Sequence, residues 1–211
     1  DAAEAQGLHI VGWDSGAATG YLDNRLSWWM DWPTAARDHG TFCVSCHTVA
    51  PYALGRTELR GPSNPGLVEQ RLLTNVERRV MAWNKVEPFY SDEQFRPGKT
   101  AESRGTEAIL NALILANRDA RDGSFSKTTR QAFDNLWALQ VTSGPAGGAW
   151  PWLDFQLEPW ETATARYYGA ALAAIAVGIV PEHYAAMPQN RTRVARLGEY
   201  LQSQADRQHL F

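Results

Sequence analysis

Cys43-Val44-Ser45-Cys46-His47 places two thiols three positions apart, with an imidazole immediately after the second. Thiols at this spacing, set on one helical turn, face one edge of a flat macrocycle, and each can add across a vinyl group to leave a thioether. The adjacent imidazole then falls beneath the ring, where it can ligate a central iron. C-x-x-C-H is therefore read as the attachment signature of one covalent c-type haem, with Cys43 and Cys46 as attachment points and His47 as the proximal iron ligand. Zinc would ask for two more Cys or His at ligand spacing, but the chain has only these two cysteines and no H-x-x-x-H pair. A thioredoxin-like redox pair wants a βαβ setting, and no strand-rich segment flanks residues 43–46.

The ligand on the opposite face of the iron separates the functions open to such a site. Two strong axial ligands make an electron carrier, whereas an open face permits peroxide or gas chemistry. His39 and Met81 are the candidate sixth ligands, with His9, His183 and His209 behind them. The plainer roles are a loop or cap residue for His39 and core packing for Met81. Arg37, Arg56 and Arg60 could fork onto haem propionates, or serve as surface ion-pair residues. Tyr52 and Trp28 or Trp29 could pack on the porphyrin, and Trp150, Trp152 and Trp160 are read as locking a hairpin loop.

These residues must be positioned by helices. Val68, Leu72, Val76 and Val80 recur every four residues, so 66–83 reads as an amphipathic helix after the breaker run Gly61-Pro62-Ser63-Asn64-Pro65. Apolar stripes predict further helices over about 106–117, 128–140, 162–178 and 191–204. Helices starting near 66, 128 and 190 alternate with partners starting near 43, 106 and 162. A repeat of about 60 residues follows, as three helical hairpins over about 43–83, 106–140 and 162–204. The expectation is one all-α domain over 1–211, with the haem segment at about 28–60.

Gln140-Val-Thr-Ser-Gly144, then Gly148-Ala149-Trp150-Pro-Trp152 and Glu161-Thr162-Ala163-Thr164-Ala165, resemble the loop and inner helix of a terpenoid-cyclase-type α/α toroid repeat, the family of squalene and hopene cyclases. There a Q-x-x-x-G-x-W element ties successive hairpins; here the Trp comes four residues late. The segment Trp28-Trp29-Met30-Asp31-Trp32-Pro33 through Cys43–His47, with Trp83–Tyr90 and Ser103–Glu107, resembles bacterial cyclase-like proteins that carry a haem motif. The resemblance implies a partial toroid of antiparallel hairpins, with the haem helix on the inner ring where a cyclase holds its substrate. It supplies no activity: the catalytic D-x-D-D element is absent, and Asp154 and Glu158 are not spaced to replace it. Three hairpins do not close a ring, so the chain is read as an arc, a fragment, or one part of an oligomer.

Composition narrows the classes. A net charge of −3 offers no basic field for nucleic acid, and 44% hydrophobic residues with nine Trp suffice for a core. No run reaches the roughly 18 uncharged apolar residues of a membrane helix; the longest is Tyr167–Val180. The chain begins at Asp1 rather than Met, as an exported and trimmed product does, and its apolar finish at Phe211 lacks a stop signal, as in a chain that continues. Haem attachment occurs outside the cytoplasm, so a bacterial periplasm or cell exterior is expected. The expected function is electron transfer with a redox partner protein or small-molecule oxidant. The alternatives are a peroxidase-like or gas-binding protein with an open distal face, and a toroid-type small-molecule binding module with an accessory haem.

Overall fold

The computed structural model describes residues 12–60 and 64–205. Within them the chain forms seven α-helices and one two-stranded sheet: α1 (Ser15–Asp31), β1 (Ala36–Arg37), β2 (Thr41–Phe42), α2 (Val49–Arg60), α3 (Leu67–Met81), α4 (Lys99–Asp122), α5 (Lys127–Ala138), α6 (Arg166–Ile179) and α7 (Arg191–Ala205). The protein is accordingly all-α in class.

Local chemistry sets the helix ends. The Asp14 carboxylate accepts from Ala17 N at 2.9 Å to start α1, and Pro33 forbids its continuation past Trp32. Ser126 Oγ accepts from Thr129 N at 3.2 Å to start α5. Gly123, at φ 64°, turns the chain out of α4 in the left-handed conformation that a side chain would resist.

α4 is the axis of the molecule. Every residue from Gly105 to Ala116 is buried, and the helix touches α2, α3, α5 and α6. Neighbours on all sides place this stretch in the interior, polar Thr106, Glu107 and Asn111 included. Its most extensive contact is with α6, whose Gly169, Ala170, Ala173 and Ala176 carry too little side chain to hold the two backbones apart. α2 and α6 both pack on α4, α3 and α5 pack on each other, and α7 lies on α6. α1 lies against α2 and α3.

Several elements differ from the sequence expectation, among them α6, which begins at Arg166 rather than near 162. α1 shows only a weak stripe, Leu22, Leu26, Trp29 and Met30, interrupted by Asp23, Asn24 and Arg25, and it was not expected. α4 begins at Lys99 rather than near 106, because its first turns bury Lys99, Ser103, Thr106 and Glu107, polar residues that mask the apolar period. The segment expected to carry the haem also departs from a helix beginning at 43. Cys43–Ser45 are irregular, Cys46–Thr48 turn, and α2 starts only at Val49. Among the described residues no helix is long and apolar enough to cross a membrane.

Candidate haem attachment site

The turn carrying Cys43, Cys46 and His47 is clamped from three sides. On its amino-terminal side the Asn75 amide of α3 takes both backbone groups of Phe42, accepting from N at 2.8 Å and donating to O at 3.1 Å. From α1, the Trp29 indole donates to Cys43 O at 2.7 Å, while Cys43 N donates to Ala35 O at 2.8 Å. On its carboxy-terminal side Ser45 Oγ accepts from Thr48 N and Val49 N, each at 3.1 Å, and so caps α2. One of the two residues between the cysteines is thus the helix start signal.

Both thiols are unpaired and covered, Cys43 at 5% and Cys46 at 2% relative exposure. Burial pushes each thiol up to about 12, with the Glu161 carboxylate adding to the rise at Cys46. A thiol held neutral in this way is a poor thiolate nucleophile and a poor zinc ligand. A thioether carries no charge to desolvate, so the same burial is compatible with covalent attachment. His47 is exposed, with Trp29 edge-on at 6.2 Å and Trp160 tilted at 6.1 Å between ring centroids. The donor set, two free thiols and an imidazole on one aromatic-walled turn, suits a haem attached through Cys43 and Cys46.

The third side of the clamp comes from far along the chain. Glu161 Oε1 lies 3.8 Å from Cys46 Sγ, His47 Nδ1 lies 3.7 Å from the same sulfur, and the ligand atoms of the three residues fall within 4.8 Å of one another. Sequence spacing gave no hint of this carboxylate. Its segment is threaded between helices: Trp150 donates to Leu136 O at 2.7 Å, and Trp152 donates to Trp160 O at 2.7 Å. The Gln140 amide donates at 3.0 Å to both Gly148 O and Arg193 O, tying the end of α5 to this loop and to α7. Trp150 and Trp152 therefore lock the loop, whereas Trp160 borders His47. The buried polar turns of α4 anchor the same loop, through Leu153 N to Thr106 Oγ1 at 2.9 Å and Lys99 Nζ to Asp154 O at 2.7 Å.

The remaining candidates are dispersed. His39, at φ 53° in the turn between the strands, pairs with Asp38 at 2.8 Å and is largely exposed. Met81 ends α3 at 55% exposure, so it does not serve as core. His183 is exposed in the turn after α6. His9, His209 and the side chain of Arg60 lie outside the described residues. Arg56 is committed to Asp23 at 3.0 Å, which also accepts from Tyr52 at 2.8 Å. Trp28 stacks on Trp32 at 5.3 Å, half exposed.

Arg37 differs from Arg56. Its NH1 group is spent on Thr34 O and Ala36 O and its guanidinium lies 5.4 Å from the Tyr90 ring, yet among the described residues its buried Nε has no hydrogen-bond partner. Arg37 and Tyr90 line a cleft of about 930 Å³ with Phe89 and Phe95, large enough for a cofactor-sized group. Cys43 lies within electrostatic reach of both residues.

Comparison of the chain with protein-family models, curated proteins and solved structures returns no match to any of them, so the reading of this site rests on its residues and geometry.

Proposed function

We propose that the chain is an exported c-type haem protein that transfers electrons, with the haem joined to Cys43 and Cys46 and His47 as its proximal ligand. The observation that carries this reading is the turn itself: two unpaired, buried thiols and an adjacent imidazole, clamped by α1, α3 and a distant aromatic loop. When bound, the haem supplies a one-electron couple at iron, tuned by axial ligation, burial and nearby hydrogen bonds. The chain contributes the rest. Trp29 fixes the turn through Cys43 O, Asn75 fixes the strand before it, and the orphaned Arg37 Nε offers a donor to a carboxylate. The haem implies a periplasmic or extracellular site and a redox partner. The packing of α2 and α6 on α4, with α3 and α5 paired behind them, supports a partial α/α toroid in which the haem turn opens the first inner helix.

A second reading has a specific observation behind it. His39 is held by Asp38 and Met81 is exposed at the end of α3, whereas the rings flanking His47 belong to Trp29 and Trp160. A haem without a second strong ligand would bind peroxide or gas.

The test is expression in a host that matures c-type haem, followed by acid-acetone extraction. Colour is expected to stay with the protein and to be lost in a Cys43→Ala, Cys46→Ala variant; colour passing into the organic phase sinks the covalent claim. Carbon monoxide is then added to the ferrous protein. Slow or partial binding supports the electron carrier, and fast, complete binding supports the open-face reading.

A further inference from the structure

We infer that Glu161 is the positioning residue for His47: its carboxylate takes the ring N–H that is not directed at iron, fixing the imidazole's tautomer and raising its electron donation. This inference rests on the haem reading above.

Three observations carry it. First, Glu161 is delivered by rigid backbone, its N donating to Leu157 O at 2.9 Å and its O accepting from Phe155 N at 2.9 Å and Leu157 N at 3.1 Å. Second, its carboxylate has no salt bridge among the described residues, and its contact at the site is the Cys46 thiol, 3.8 Å away. Third, the nitrogen of His47 lies inside the same 4.8 Å cluster.

Attachment changes what that carboxylate can bond. When a thiol adds across a vinyl group, sulfur bonds one vinyl carbon and the thiol proton ends on the other. Cys46 then has no S–H left to offer Glu161. A half-buried carboxylate without a donor is costly, and the His47 ring N–H is the donor left within the cluster. A metal-bound imidazole that donates its second N–H to a carboxylate is more basic and is held in one orientation. Greater donation favours ferric over ferrous iron.

The experiment is a spectroelectrochemical titration of the holoprotein. Glu161→Gln, which keeps the shape and removes the charge, is expected to raise the ferrous-to-ferric ratio about tenfold at a fixed solution potential, a shift of about 59 mV for one electron. Glu161→Asp, with the carboxylate drawn back, should fall between Gln and wild type. Paramagnetic shifts of the His47 ring protons, which report the ligand's own donation, should move in Glu161→Gln. An unchanged midpoint with haem attached overturns the inference and leaves the haem reading standing. A moved midpoint with unmoved ring shifts assigns Glu161 to charge at a distance and also overturns it. Wild-type protein without covalent haem removes both. Should Glu161→Gln fail to fold, Glu161→Asp against wild type carries the same test, and an unchanged midpoint decides against the inference.

Discussion

Arg79 has no exposed surface, yet it binds four partners. Its Nε and NH2 fork onto Glu107 at 2.6 and 3.2 Å, NH1 donates to Thr41 Oγ1 at 2.7 Å and to Asp38 Oδ1 at 3.4 Å, and NH2 also reaches Glu87 O at 2.7 Å. Only a guanidinium has donors enough in one plane for this arrangement. Because Thr41 lies two residues before Cys43, the pair anchors the turn of the proposed haem site as well as the core. Glu107→Ala removes the forked carboxylate and leaves the buried guanidinium only Asp38, 3.4 Å away, as counter-charge; it is expected to cost about 3–5 kcal/mol in urea unfolding. Two nearby groups contribute to the pH dependence of stability. Burial pushes the Tyr90 hydroxyl up from 10.0 to about 12, and the Cys43 thiol adds to the rise. The unfolded chain therefore releases that proton first, and stability should fall as pH climbs from 10 through 12, less steeply in Tyr90→Phe. Burial alone would raise Asp38. The Glu87 N–H, His39 and Arg79 more than reverse it, and its carboxyl sits below the usual 3.8. Its contribution is present above that value and lost as pH falls below it, so Asp38→Asn should flatten the acid limb of a pH–melting curve.

At the scale of elements, the loop after α5 is held where no side chain fits. A Cβ on Gly169 of α6 would lie 2.3 Å from the Trp152 ring, and one on Gly105 of α4 would lie 2.0 Å from Pro151 O. Gly169→Ala is expected to lower stability by about 1–3 kcal/mol or more, and to loosen Trp160 and Glu161 with it, which fluorescence of the buried indoles would register. Ser45→Ala removes the cap of α2 and should cost about 1 kcal/mol in the haem-free protein. The amphipathic stripe of α3 was readable because Leu72, Val76 and Val80 are core at a four-residue spacing, even though Glu69, Asn75 and Arg79 are buried beside them. The first turns of α4 were not, because they bury charge: Lys99 and Glu107 occupy positions where a periodicity argument looks for leucine. α1 escaped for the opposite reason. It packs against α2 and α3 through few apolar residues, and Asp23 serves Tyr52 and Arg56 instead.

Over the whole molecule, the site divides into a part written locally and a part assembled by folding. Cys43, Cys46 and His47 lie within five residues, so their donor set is visible in the sequence alone. Glu161 is 115 residues from Cys46, and no local pattern joins them; only the threading of Gly148–Trp152 among α4, α6 and α7 brings them together. The helices as a class were legible in the sequence, while the contact of a distant carboxylate with the motif was not. This assembly also closes over the thiols, so in haem-free protein their alkylation should track global unfolding: slow in buffer, fast at the urea midpoint, measured by mass. A thiol labelled as readily in native buffer as in urea would contradict the closed site. The covered cysteines also impose an order of events. Since the finished fold covers both thiols, attachment of the proposed haem to Cys43 and Cys46 would have to come while the chain is still open. On the haem proposal, folding would then be the step that ends maturation, and a molecule closing too early would be sealed without haem.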